Sequence, residues 1–109
     1  MLRRDLLALA TGALALATAV SVSAQTPIKI GSVAPKTGAL AGGAVVTQWP
    51  NVELWAAQVN ERGGLNVGGE MRPVEVIEYD DKTNPGEHIK LAQRLATQDK
   101  VDFVVAPYG

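Results

Sequence analysis

The chain has 109 residues, with 10 Lys and Arg against 11 Asp and Glu, one His and no Cys. That balance leaves no basic footprint for nucleic acid. With no disulfide available, a fold this small has to hold together on its apolar core alone.

The opening stretch reads as an export signal. Met1 to Arg4 is a basic start, Leu6 to Val20 is apolar, and Val22 and Ala24 place small residues at the two cleavage positions, so that cutting falls before Gln25. The apolar part is short for a membrane span and ends in small residues, which argues against an anchor. Arg3, Arg4, Asp5, Leu6 and Leu7 also fit a twin-arginine signal, so the Sec and twin-arginine routes both stay open. Removing residues 1–24 leaves 8 basic and 10 acidic side chains, a net charge of about −2.

Ile28 to Val33 reads as a first strand, ended by Pro35. Lys36 to Gly43 is a Gly-rich loop. It is not a phosphate loop, because Pro35 stands where a glycine is needed before Lys36-Thr37 and the spacing is one residue short. A mobile connection is one reading. A loop whose backbone approaches a small ligand at the carboxyl end of a strand is another. Val52, Trp55, Ala56 and Val59 form the apolar face of a first helix. Pro50 falls in its first turn, Thr47 is the cap candidate, and Gly63-Gly64 closes it with a left-handed residue. Trp55 reads as core, whereas Trp49, beside the Gly-rich loop, reads either as packing or as a ligand wall. Leu65 to Arg72 is a turn-rich link.

Val74, Val76 and Tyr79 belong to a second strand that stops at the polar cluster Asp80 to Asn84. Asn84 is a good N-cap, Pro85 suits the first helical position, and Glu87 is placed to reach back to the cap amide. Leu91, Ala92, Leu95 and Ala96 then recur at helical spacing. Val101 to Ala106 is a short apolar run closed by Pro107 and Gly109, as expected of a strand buried on both faces. Together these segments predict an α/β fold of three parallel strands in spatial order 2-1-3, the first strand central and the helices on opposite faces.

Catalytic and metal constellations are missing. Glu78, Asp80 and Asp81 crowd three carboxylates into four positions, but a calcium loop begun at Asp80 would have Lys82 at its third position and Pro85 where glycine is required. A solvated strand end is the simpler account of them. His88 is the sole histidine and shows no partner base in the sequence, nucleophiles are limited to Ser and Thr, and a Gly-x-Ser-x-Gly elbow is absent. An enzyme is not expected, nor any metal or other cofactor.

The ordered set of segments resembles the start of a periplasmic solute-binding protein of the leucine/isoleucine/valine type, the receptor of an ABC importer. The likeness runs from Ile28 to Gly109: IKIGSVAPKTGALAGG is like the family's opening strand and ligand loop, WAAQVNERGGL like its first helix, and VEVIEYDDKTNPGEHIKLAQRLATQDKVDFVVAPYG like its second strand, helix and third strand. The loop departs from the family in running Leu40-Ala41-Gly42-Gly43-Ala44 on to Trp49-Pro50, where an aromatic residue and Gly often follow Thr37-Gly38. The resemblance implies a three-layer αβα start of a type I binding-protein lobe, incomplete here, with residues 1–24 a signal peptide and residues 25–109 the N-terminal part of the first lobe. It implies periplasmic capture of an amino acid or related small polar solute by hinge closure, and delivery to a permease in the inner membrane. An extracellular ligand-sensing domain of a receptor with the same fold is the alternative. Ligands in such sheets sit beyond the carboxyl ends of the strands, which makes Thr37, Gly43, Ala44 and Tyr108 the candidate contacts and Trp49 a candidate wall. The hinge and second lobe of the family do not occur in this sequence, so residues 25–109 alone are expected not to bind solute and to associate through their open sheet edges.

Overall fold

The computed structural model describes residues 25–109. The signal peptide expected over residues 1–24 lies outside the described residues. Three strands form the main sheet: β1 (Ile28–Ala34), β4 (Val74–Asp80) and β5 (Phe103–Val105). Their order is β4-β1-β5 with both pairings parallel, the expected 2-1-3 arrangement with the first strand central. β1 is buried over nearly its whole length because neighbours flank both of its edges and helices cover both of its faces.

Side chains alternate across a strand, and that alternation sorts the core into two layers. On one face Ile28 and Ile30 pack with Val74 of β4 and with Ala56 and Val59 of α2 (Trp49–Glu61). The opposite face receives α3 (Pro85–Thr97), whose fully buried Leu95 lies over Gly31. A Cβ at Gly31 would stand 2.6 Å from Leu95 Cδ1, so the helix can lie this close only because β1 has no side chain there.

Local chemistry sets the element ends. The Asn84 side chain accepts the Glu87 N–H at 3.1 Å and Pro85 occupies the first turn of α3, as expected. The second half of the capping box does not form: the Asn84 N–H donates to the Asp81 carbonyl at 2.9 Å, a tight turn that leaves Glu87 no donor to claim. At the end of α2, Gly63 and Gly64 take φ of +98° and +105°, and their N–H groups return to Asn60 and Val59. The Asn60 side chain exchanges two hydrogen bonds with the Val74 backbone, at 2.7 and 2.8 Å, and ties the helix end to the start of β4.

Five expectations need correction. Lys36 to Gly43 is not a loop throughout, because Ala41–Thr47 forms a short helix, α1. Gln48 rather than Thr47 precedes α2; the Thr47 hydroxyl instead donates back to the Gly43 carbonyl. Leu65 to Arg72 is an antiparallel hairpin, β2 (Leu65–Val67) with β3 (Glu70–Arg72), since Gly68 and Gly69 both adopt the positive φ that a two-residue turn requires. Trp55 is 41% exposed rather than core, because the apolar face of α2 is wider than the three-stranded sheet beneath it. The run Val101 to Ala106 is strand only from Phe103 to Val105, and it is an open edge: Phe103 is 64% exposed.

Candidate functional site

Three chain segments meet beyond the carboxyl ends of the strands. They are residues 35–40 after β1, residues 81–84 after β4 and residues 106–109 after β5. Parallel pairing makes this convergence unavoidable, because all three strands end on the same side. An open pocket of about 320 Å³ lies here, with Pro35 and Leu40 on one side, His88 and Ile89 on a second, and Pro107 and Tyr108 on a third.

Asp80 binds the first segment to the second. Its carboxylate accepts the Lys36 N–H at 2.8 Å, the Thr37 N–H at 3.2 Å, the Thr37 hydroxyl at 2.7 Å and the Lys82 N–H at 2.8 Å. Partial burial pushes its pKa upward, but the hydrogen bonds from Lys36, Thr37 and Lys82 outweigh it and hold the group at about 2, against an ordinary 3.8. The Thr83 hydroxyl adds two more ties, donating to the Thr37 carbonyl at 2.9 Å and accepting the Leu40 N–H at 3.2 Å.

Asp81 faces the other way, as adjacent residues of extended chain do. It is buried, accepts the Thr83 N–H at 2.9 Å and pairs with His88 Nδ1 at 2.9 Å. The sequence shows no partner for His88; the turn supplies one. The pair pins the first turn of α3 to the exit of β4. Asp80 and Asp81 are therefore bonded scaffolding, not a solvated strand end. The Thr37 and Thr83 hydroxyls of these networks are both bonded to scaffold acceptors.

A third network is buried. Gln48 Nε2 donates to Ser32 Oγ at 3.0 Å, and Gln48 Oε1 accepts the Tyr108 N–H at 2.6 Å. Behind the pocket, Lys36 forms an ion pair with Glu78 at 2.7 Å and lies 4.5 Å from the centroid of the Trp49 ring. Glu53 has its pKa raised, chiefly by repulsion from the Glu78 carboxylate.

Of the five expected ligand residues, Tyr108 lines the pocket. Gly43 touches it indirectly, since a Cβ there would overlap the Tyr108 ring. Thr37 lies in the exit loop with its hydroxyl engaged by Asp80. Ala44 and Trp49 are core: both are buried together with Ala34, and the Trp49 indole N–H donates to the Pro35 carbonyl at 3.0 Å. The Trp49 side chain therefore packs beneath the loop, which removes it as a wall. Sequence reasoning missed Gln48, Ser32 and the Asp81–His88 pair. A buried glutamine carries no spacing signal, although its position just before Trp49-Pro50 was a hint that a polar residue starts the helix.

The profile of the periplasmic binding protein family matches residues 27–109, and the chain belongs to that family. It is 31% identical over 108 residues to an amino acid binding protein of Pseudomonas aeruginosa, covering 99% of this chain and 27% of that protein. A crystal structure of the branched-chain amino acid transporter substrate binding protein LivJ from Streptococcus pneumoniae, in complex with isoleucine, is similar with a TM-score of 0.66 and 32% identity, over 75% of this chain and 22% of that one. The chain thus spans about a quarter of the length of the relatives it matches.

Proposed function

We propose that this chain forms the N-terminal part of the first lobe of a solute-binding protein, residues 1–24 serving as a signal peptide that is removed on export. The protein captures an amino acid or related small polar solute in the periplasm. It closes two lobes about a hinge and passes the solute to the permease of an ABC importer in the inner membrane. The observation that carries this reading is the convergence of residues 35–40, 81–84 and 106–109 on one sheet edge, in a chain of this family. Capture by closure asks for shaped, fixed loops and no nucleophile. The Asp80, Thr83 and Gln48 networks fix these loops. The names of the two relatives, one an amino acid binding protein and one held with isoleucine, favour an amino acid as the solute.

Two measurements test it. Reading the gene past the codon for Gly109 is the first: a second lobe of similar fold and no membrane span is expected, whereas a membrane span would favour a signalling receptor. The second is thermal shift of the complete gene product against amino acids, amides and small carboxylates. A ligand at a hundredfold its Kd adds about 2.7 kcal/mol of stability, enough for a shift of several degrees. Silence across the three classes refutes the solute reading.

A further inference from the structure

Gln48 sits between α1 and α2, 6% exposed, at the point where the chain breaks from one helix into the next. Its side chain reaches over β1 to the segment after β5. The direction of the amide is dictated by its partners. Only the carbonyl oxygen can accept the Tyr108 N–H, at 2.6 Å, so the NH2 faces Ser32 Oγ, at 3.0 Å. Ser32 is wholly buried on the central strand and pairs in register with Val105, the last residue of β5. The Gln48 amide thus ties β1 to the segment beyond the end of β5. Val105 is the last strand residue, Pro107 has no N–H to give, and the N–H of Tyr108, three residues past Val105, donates to the Gln48 side chain.

Tyr108 is held at a second point. Its ring lies on Gly43, where any Cβ would overlap it, while 40% of the residue stays exposed at the pocket. One anchor fixes the backbone and the other fixes the ring. We infer that Gln48 is a positioning residue for solute binding: through the Tyr108 amide it sets the place of the segment after β5 at the ligand edge. It does not touch the solute. This rests on the solute-binding reading above, and ligand sites lose affinity when their supporting residues are loosened.

The test uses the complete gene product and the amino acid that gives the largest thermal shift among the twenty proteinogenic ones. Gln48→Leu alone would strand the Ser32 hydroxyl, so it is combined with Ser32→Ala, which replaces both side chains of the buried pair by apolar groups and leaves the Tyr108 N–H as the group that loses its partner. Calorimetric titration should show Kd weakened about tenfold with the melting temperature within a few degrees of wild type. Amide exchange at Tyr108 should quicken at least about fivefold. Gln48→Glu, which keeps an acceptor for the Tyr108 N–H, should restore most of the affinity. Gly43→Ala leaves both Gln48 bonds in place and displaces only the ring; it too should weaken binding. A double variant that melts normally with wild-type Kd overturns the inference, as does wild-type affinity in Gly43→Ala. If the wild-type protein answers to none of the twenty, an amino acid as the solute is refuted. The Tyr108 exchange comparison still decides the anchoring, and equal exchange in wild type and double variant overturns it.

Discussion

Replacing Asp80 by Asn probes how the loops at the carboxyl edge of the sheet are held. The carboxylate takes four donors from Lys36, Thr37 and Lys82, and it bridges the exits of β1 and β4. Asparagine keeps one carbonyl acceptor but turns an NH2 toward a hydroxyl that had been donating, and it removes the charge that strengthens all four bonds. A carboxyl held at about 2 instead of 3.8 corresponds to about 2.5 kcal/mol in the absence of screening. Asp80 is only half-buried, and solvent reduces this to about 1 to 1.5 kcal/mol. The sign follows from the direction. The folded-state pKa lies below the unfolded one, so the stabilisation is complete above about pH 4 and disappears as pH falls through about 2. Urea unfolding of the complete gene product, followed by indole fluorescence, should show wild type ahead of Asp80→Asn by about 1 to 1.5 kcal/mol near neutral pH. The gap should shrink steadily below about pH 4. A gap that stays constant on acidification, or none at neutral pH, would refute the reasoning.

Leu95→Ala should lower stability by about 3 kcal/mol, and Gly31→Ala by about 1 to 3 kcal/mol, since the new methyl meets the buried Leu95 side chain at 2.6 Å. Combined, the two should cost at least about 1 kcal/mol less than their sum in denaturant titrations, and strict additivity would mean α3 does not lie on Gly31 as described. Asn84→Ala should cost about 1 kcal/mol by the same measurement through loss of the cap on the Glu87 N–H, and no change would show that the turn alone starts α3. Expressed alone, residues 25–109 should associate through the β5 edge, where Phe103 and Val104 are exposed; light scattering should find Val104→Lys less associated, and an unaltered wild-type monomer would contradict this.

The sequence by itself determined the strand order. Three apolar runs separated by two helical repeats leave parallel crossovers as the natural solution, and β4-β1-β5 follows once the helices take opposite faces. The cap at Asn84 and the close of α2 at Gly63-Gly64 were equally legible, because each is decided by residues within one turn. The Gly68-Gly69 hairpin is equally local, two short runs spaced by a two-residue glycine turn.

Tertiary structure decided the rest. Trp49 and Trp55 stand six residues apart in one helix with the same apolar chemistry. Trp49 is buried against Ala34 and Ala44, and Trp55 overhangs an open groove beside Phe103, since burial depends on which neighbours a face meets. Asp80 and Asp81 are identical and adjacent. One gathers the amides of the loop after β1 and the other grips His88, because extended backbone sends them to opposite sides. Gln48 is the clearest case. Its two partners lie 16 and 60 residues away in sequence, and only the packing of α2 on β1, with β5 alongside, brings them within reach of one amide. Hydrogen bonds of that range leave no trace in local spacing, and for this chain they tie together the segments beyond the carboxyl ends of the strands.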